Sequence, residues 1–405
     1  MEKQNILIFD EQGYFYGSTQ KLLRQMAKIL ARELNVFFAG GPITDKNSAQ
    51  DLKSAGVKVI EFSYNAKQVR EPYGLLGMQP GIMELIEKNN IHCVYTPVYA
   101  HYQFPINAVP ASIPFVLISP FGHWCGNGNV PKTYVSGKGN AERLRKRGVK
   151  NIEVFFNPLQ DFPVEVWQKP QIGERVIFGR IGRGEDSIFD PIALQAFKKL
   201  EDIYPGQVKY IVVNPPLAWR EMAQTLGVKN MEFWPTITDP AKLSEFYRQI
   251  DVLAHARKDG ETVGMAIAEA MLSGSPILTH KSHYHNDHFD ILDPAYAKWS
   301  EADNVEQYFE NMKWMVENKS QIHSMGLLAR KRALEVFGLE SQAPKIIVSF
   351  KEACQHYYHD TLLGKIKGYL ILYRQNLKAM PFLAGKLTTI KFPKLYPALR
   401  KLFPK

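Results

Sequence analysis

Two glutamates eight residues apart, Glu261 and Glu269, frame the segment 260–280, which reads G-E-T-V-G-M-A-I-A-E-A-M-L-S-G-S-P-I-L-T-H. The pattern predicts a helix that opens at Val263, Gly264 and Met265 directly after a strand. Free amides in such a first turn, at the positive end of the helix dipole, form a site for a diphosphate. Gly264 lets the backbone approach the ligand closely. In a helix that spacing is a rise of about 12 Å, at roughly 1.5 Å per residue. Carboxylates so placed suit a ligand with hydroxyls on both sides of a diphosphate. A second glycine-bearing turn, 177–184, I-F-G-R-I-G-R-G, places Arg180 and Arg183 three residues apart after a strand. His123, in the turn S-P-F-G-H-W-C at 119–125, adds an imidazole after another strand.

Other chemistries fit less well. His280, His283, His285 and His288 cluster with Asp287 and Asp290, but their spacing repeats no zinc pattern, so no metal is expected and the segment reads as a loop near an acceptor. The glycines of 179–184 run G-x-x-G-x-G with no helix start immediately after them, which argues against a nicotinamide dinucleotide. Cys93, Cys125 and Cys354 are odd in number and far apart, as expected of reduced thiols.

Positioning such residues takes a framework of strands with crossover helices. At 405 residues the chain is long for one core, and its hydrophobic fraction of 45% and charged fraction of 22% exclude a disordered or membrane-embedded chain. Apolar runs at 5–9, 35–38, 57–62, 92–95, 115–118 and 133–135 read as strands of one doubly wound unit. A helix at 18–34 carries Leu22, Leu23, Met26, Leu30 and Leu34 on one face. Prolines at 158, 163 and 170 mark a connection. A second series of strands follows at 175–178, 209–213, 231–233, 252–255 and 277–279. The predicted organisation is α/β: two Rossmann-like domains over 1–168 and 169–338, a helix over 339–360 returning toward the first domain, and a basic tail over 361–405.

The glutamate pair, followed by Ala-Met, a glycine and a Pro-Ile-Leu strand, resembles the donor-site signature of the retaining GT-B glycosyltransferases of family four, glycosyl transferases group 1. The resemblance runs to about residue 350 and includes residues 14–17, where the family has a glycine loop, Gly179-Arg180 and the strand at 251–255. It implies two doubly wound domains facing across a cleft, 1–168 on the acceptor side and 169–338 binding the nucleotide sugar, and transfer of a sugar, with retention, from a nucleotide-diphosphate donor to a saccharide or lipid-linked saccharide. Glu261 would hold sugar hydroxyls, the amides of Val263, Gly264 and Met265 the phosphates, and Glu269 the ribose. Gly17 would lie near the phosphates and His123 near the sugar, with Arg180 and Arg183 on the leaving diphosphate. No cofactor other than the nucleotide sugar as co-substrate is implied. The chain departs from the family where a lysine is usual five or six residues after the arginine: Glu185 and Asp186 stand there, and Arg183 is the nearest substitute. That departure keeps open an alternative, a catalytically weak nucleotide-sugar-binding or scaffolding protein.

The formal net charge is +10, and residues 361–405 contain ten basic residues and no acidic one, so ten minus ten leaves the rest neutral. Such a tail suits an anionic membrane surface rather than nucleic acid. In it Leu363, Ile366, Leu370, Tyr373, Leu377 and Met380 recur every three or four residues beside Lys367, Arg374 and Lys378, a pattern that fits either a membrane interface or a helix packed on the first domain. No secretory leader and no run of about 18 apolar residues is present, so a cytoplasmic protein, peripheral on a membrane, is expected.

Overall fold

The computed structural model describes residues 3–14, 17–62, 80–99, 103–120, 122–169 and 172–390, and the chain forms two compact units. The first comprises Met1–Val135, Asn140–Phe155 and Ala343–Lys405; the second comprises Ser136–Gly139 and Phe156–Gln342.

In the first unit β1 (Asn5–Asp10), β2 (Asn35–Gly40), β3 (Lys58–Glu61), β4 (Cys93–Pro97), β5 (Phe115–Ser119), β6 (Lys132–Val135) and β7 (Ile152–Val154) form a parallel sheet in the order β3-β2-β1-β4-β5-β6-β7. Strands covered on both faces read as unbroken apolar runs, and β1, β4 and β5 are buried almost throughout for that reason. Helices α1 (Ser18–Leu30), α2 (Lys46–Ser54), α3 (Pro80–Lys88) and α4 (Lys138–Lys146) lie between strands. The order reverses between β1 and β4, so the crevice for a ligand lies at their carboxyl ends.

The second unit begins with the short α5 (Val164–Trp167) and continues through β8 (Val176–Ile181), α6 (Ile192–Ile203), β9 (Val208–Val213), α7 (Leu217–Thr225), β10 (Met231–Trp234), α8 (Pro240–Gln249) and β11 (Val252–Ala254). Then come β12 (Gly260–Glu261), α9 (Met265–Leu272), β13 (Ile277–His280), β14 (His285–Asn286), β15 (Ala297–Ser300), α10 (Val305–Glu317) and α11 (Lys319–Phe337). Its parallel sheet has the order β10-β9-β8-β11-β13-β15, which reverses between β8 and β11. The two-residue strands β12 and β14 pair separately.

Every strand read from the sequence is present, with ends shifted by one to three residues. The structure adds β7, β12, β14 and β15, each too short or too mixed in polarity to stand out. The predicted helix at 18–34 ends at Leu30, where the chain turns so that Leu34 can precede β2. A larger difference is the domain boundary, which falls at Phe156 rather than near residue 169. Residues 156–169 belong to the second unit because their side chains are anchored there. Leu159 exchanges backbone hydrogen bonds with Phe337 and Leu339, Asp161 takes both terminal nitrogens of Arg330 at 2.6–2.7 Å, and Lys169 Nζ donates to the Ile250 carbonyl.

Helix α12 (Leu339–Cys354) returns the chain to the first unit from Ala343 onward. There Ser349 bonds Tyr134 at 2.7 Å and Phe350 meets Tyr95 edge-on at 5.2 Å. The last helix, α13 (Leu362–Ile390), continues through Pro381, and residues 391–405 lie outside the described set. All three cysteines are buried free thiols. Among the described residues no helix is long and apolar enough to cross a membrane.

Candidate active site

The second unit gathers its reactive side chains where strand order reverses. Arg180 ends β8, and His255 and Arg257 follow β11 directly. Arg180 is only 1% exposed. Its Nε donates to the Ala256 carbonyl at 3.2 Å, its Nη1 to the Ile181 carbonyl and to His255 Nδ1 at 3.2 Å, and its plane covers Phe189 at 4.6 Å. Its Nη2 is buried without a partner among the described residues.

The protonation of His255 follows from this contact. A guanidinium only donates, so Nδ1 must accept. The proton therefore sits on Nε2, which donates to Glu261 Oε1 at 3.0 Å. Burial, helped by the Arg180 charge, pushes the His255 pKa down to about 4, so the ring is neutral at pH 7. Glu261, whose side chain is 13% exposed, also takes Arg257 Nη1 at 3.2 Å. Burial alone would raise the pKa of its carboxyl, but the His255 hydrogen bond and the charges of Arg257 and Arg180 prevail and hold it at about 2. The second unit thus presents a fixed carboxylate wired through a neutral imidazole to a buried arginine.

The histidine segment 280–288 braces this turn. His280 Nε2 accepts from the Arg257 amide at 3.0 Å, and His288 Nδ1 donates to the Glu261 carbonyl at 3.3 Å. β14 pairs Gly260 with His285 and Glu261 with Asn286. Gly260 has φ +70 and passes so close to the His285 carbonyl that no side chain fits. His283 instead pairs with Asp303 on the surface. These histidines do not converge, and no group of His, Cys, Asp and Glu among the described residues is arranged to hold a metal ion. The expected loop near an acceptor is therefore a buttress for Glu261.

Helix α9 begins one or two residues later than predicted. Gly264 is its N-cap, with φ +76, and no side chain caps the helix, so the amides of Met265 and the residues after it are the ones open to an anion. Val263 precedes the helix with its side chain buried. Only the four steps from Met265 to Glu269 contribute helical rise, about 6 Å rather than 12 Å at roughly 1.5 Å per step. The Glu269 carboxylate accepts from Tyr247, a buried residue of α8, at 3.0 Å.

Arg183 is not brought to this group. Its side chain is 69% exposed and pairs with Glu185 at 3.2 Å. The turn that holds Glu185 and Asp186 is instead reached by Lys258, whose Nζ donates to the Asp186 carbonyl at 2.9 Å. Sequence reasoning missed His255, Arg257 and Lys258. Their signal was the run H-A-R-K-D-G-E, which places an imidazole and two cations between a strand and Glu261. In the first unit Gly17 is the N-cap of α1 and His123 follows β5, both beyond carboxyl ends of the sheet. Ser119 Oγ bonds the His123 carbonyl. Phe15 and Tyr16, part of the expected glycine loop, lie outside the described residues.

Residues 191–332 match the family model for glycosyl transferases group 1. They form a glycosyltransferase domain. Glu261, Gly264, Glu269, His255 and Arg257 fall inside it, whereas Arg180, Arg183, Gly17 and His123 do not. No curated protein matches the chain by sequence. Several solved structures share its fold. One from Rickettsia africae ESF-5 is 13% identical with a TM-score of 0.68, covering 87% of this chain and 99% of its own. Anabaena Alr3699/HepE in complex with UDP and glucose is 15% identical with a TM-score of 0.64, covering 86% and 100%. WaaG, a glycosyltransferase involved in lipopolysaccharide biosynthesis, is 13% identical with a TM-score of 0.59, covering 84% and 99%. The chain therefore has the two-domain GT-B fold.

Proposed function

We propose that this glycosyltransferase moves a sugar, with retention, from a nucleotide-diphosphate donor to a saccharide or lipid-linked saccharide in surface-glycan synthesis. In this reading it works from the cytoplasmic face of a membrane. The supporting observation is the ionised, nearly enclosed Glu261 beside the uncapped start of α9, at the switch point between β8 and β11. Glu261 orients sugar hydroxyls, and His255 and Arg180 hold Glu261 in place. The amides from Met265 onward take the phosphates, and Glu269, steadied by Tyr247, takes the ribose. In the transfer the bond from the anomeric carbon to phosphate oxygen breaks, a bond to the acceptor oxygen forms on the same face, and the acceptor proton passes to the departing phosphate. Lys258 is the cation we assign to the departing charge in place of Arg183, which Glu185 already pairs, since Asp259 and Glu261 both hold Arg257. UDP and glucose in the Anabaena neighbour make a uridine donor the first to try.

The Glu185–Asp186 turn favours one other reading, a nucleotide-sugar-binding protein with little turnover. A panel of nucleotide sugars screened by thermal shift, followed by product analysis with the best ligand, separates the two. A stabilising donor that is turned over onto a saccharide acceptor is the expected result. A donor that stabilises yet is never consumed supports the binding protein, and no stabilisation by any donor ends both.

A further inference from the structure

Among the residues whose side chains are described, helix α13 packs on the rest of the first unit through one face. The Gly368 carbonyl accepts from the Ala111 amide at 3.1 Å, and a Cβ at Gly368 would lie 2.5 Å from Ser112 Oγ. Leu372 is buried, and Asn376 Nδ2 donates to the Asn107 carbonyl at 3.0 Å. Gly364, Gly368, Leu372 and Asn376 stand four apart, so they form one row, and small residues in that row let the helix come close. The opposite side carries Leu362, Leu363, Ile366, Leu370 and Tyr373, which are 75, 76, 49, 65 and 52% exposed. At 3.6 residues per turn these five make one continuous apolar stripe.

Charge says what this stripe meets. Lys367 and Arg374, each one residue after a member of the stripe, are exposed and lie along one edge. Continuing around the helix from that edge comes Gln375, which lines a cleft of about 440 Å³ together with Trp124, Val130, Arg147 and Lys150. Arg147 and Lys150 are exposed as well. The stripe is thus flanked by a basic shelf made from two parts of the same unit, and the chain from residue 361 onward contains no acid to neutralise it. A second copy of the same face would oppose one basic shelf to another. An anionic lipid surface satisfies both features at once, since its acyl boundary takes the apolar stripe and its phosphates take the cations.

We infer that α13 docks the protein on an anionic membrane through Leu362, Leu363, Ile366, Leu370 and Tyr373, with Lys367, Arg374, Arg147 and Lys150 on headgroup phosphates. The inference specifies the peripheral attachment proposed above, and its test involves no turnover. The full chain is sedimented with vesicles of phosphatidylcholine alone and with vesicles containing about one third phosphatidylglycerol. The parent partitions at least about tenfold more strongly onto the anionic vesicles, and high salt weakens that binding. Leu370→Glu lowers the partition about tenfold or more, because it places a charge in the middle of the stripe. The pair Lys367→Glu and Arg374→Glu removes the preference for anionic vesicles. Both variants melt like the parent, since every residue changed is exposed. Parent binding that neither variant alters would leave membrane attachment standing and overturn the assignment to α13. A parent that ignores vesicles overturns both, as does a concentration-dependent dimer without lipid binding that Leu370→Glu disperses.

Discussion

Replacing Glu261 with glutamine removes a charge while keeping the shape and the oxygen that accepts from His255. The pKa of its carboxyl stands at about 2 against an ordinary 4.5. That difference, about 2.5 units at roughly 1.4 kcal/mol each, makes the surrounding network worth about 3 kcal/mol to the ionised form. Because the folded pKa lies below the unfolded one, this stability is fully present above pH 4.5 and is lost as the pH falls toward 2. Glu261→Gln forfeits it, takes the nearby anion from Arg180 and leaves Arg257 with Asp259 as its remaining carboxylate. A loss of about 3 kcal/mol in a unit of this size lowers its Tm by roughly 6–12 °C. Thermal melts of parent and variant from pH 8 to pH 3.5 test the sign as well as the size. The gap is expected to be constant down to about pH 5 and to narrow only below pH 4.5. Transfer falls by about two to three orders of magnitude, as for loss of one charge-ordering contact, while nucleoside diphosphate binding changes little. A variant that melts within a degree of the parent at pH 7, or a gap that closes near neutrality, would refute the reasoning.

Two further outcomes follow from neighbouring residues. His255 and His288 are both held down to about 4 from 6.5 by burial, so the stability they contribute is present above pH 6.5 and drains as the pH falls toward 4. The parent should lose melting temperature steeply across that window, and His288→Gln, which does not titrate, should flatten part of the loss. Gly264→Ala forces a side chain to φ +76 with Cβ contacts of 3.1 Å to Ile267 and 3.2 Å to Glu261, which costs about 1–2 kcal/mol. Calorimetry should show weaker nucleoside diphosphate binding in that variant, because the start of α9 shifts.

Much of this architecture could be read in the chain itself. The buried strands declare themselves because a parallel sheet covered on both faces needs apolar runs such as I-L-I-F in β1. By contrast β15, A-K-W-S, has two partly exposed residues at the sheet's edge and gives no such run. Glu261 and Gly264 were legible because a turn that binds phosphate demands a glycine at a fixed offset. The roles of Arg180 and Arg183 were not, since one sits at the end of a buried strand and the other on the surface, and spacing in a glycine-rich turn does not reveal which side chain turns inward. His255 and Arg257 become visible only when β11 and β12 are placed together. In α13 periodicity found the apolar stripe but could not say that the row of Gly364, Gly368 and Leu372 was the face that packs.

The first unit is assembled from three stretches of chain, with all but four residues of the second unit inserted before the last of them. During synthesis Tyr95 and Tyr134 must therefore wait, uncovered, until Ser349 and Phe350 leave the ribosome. The inserted unit, continuous from Phe156 to Gln342 apart from four residues, can reach its final form earlier. A chain stopped short of residue 343 would carry a finished second unit and a first unit whose apolar surface stays open, a natural target for chaperones and proteases.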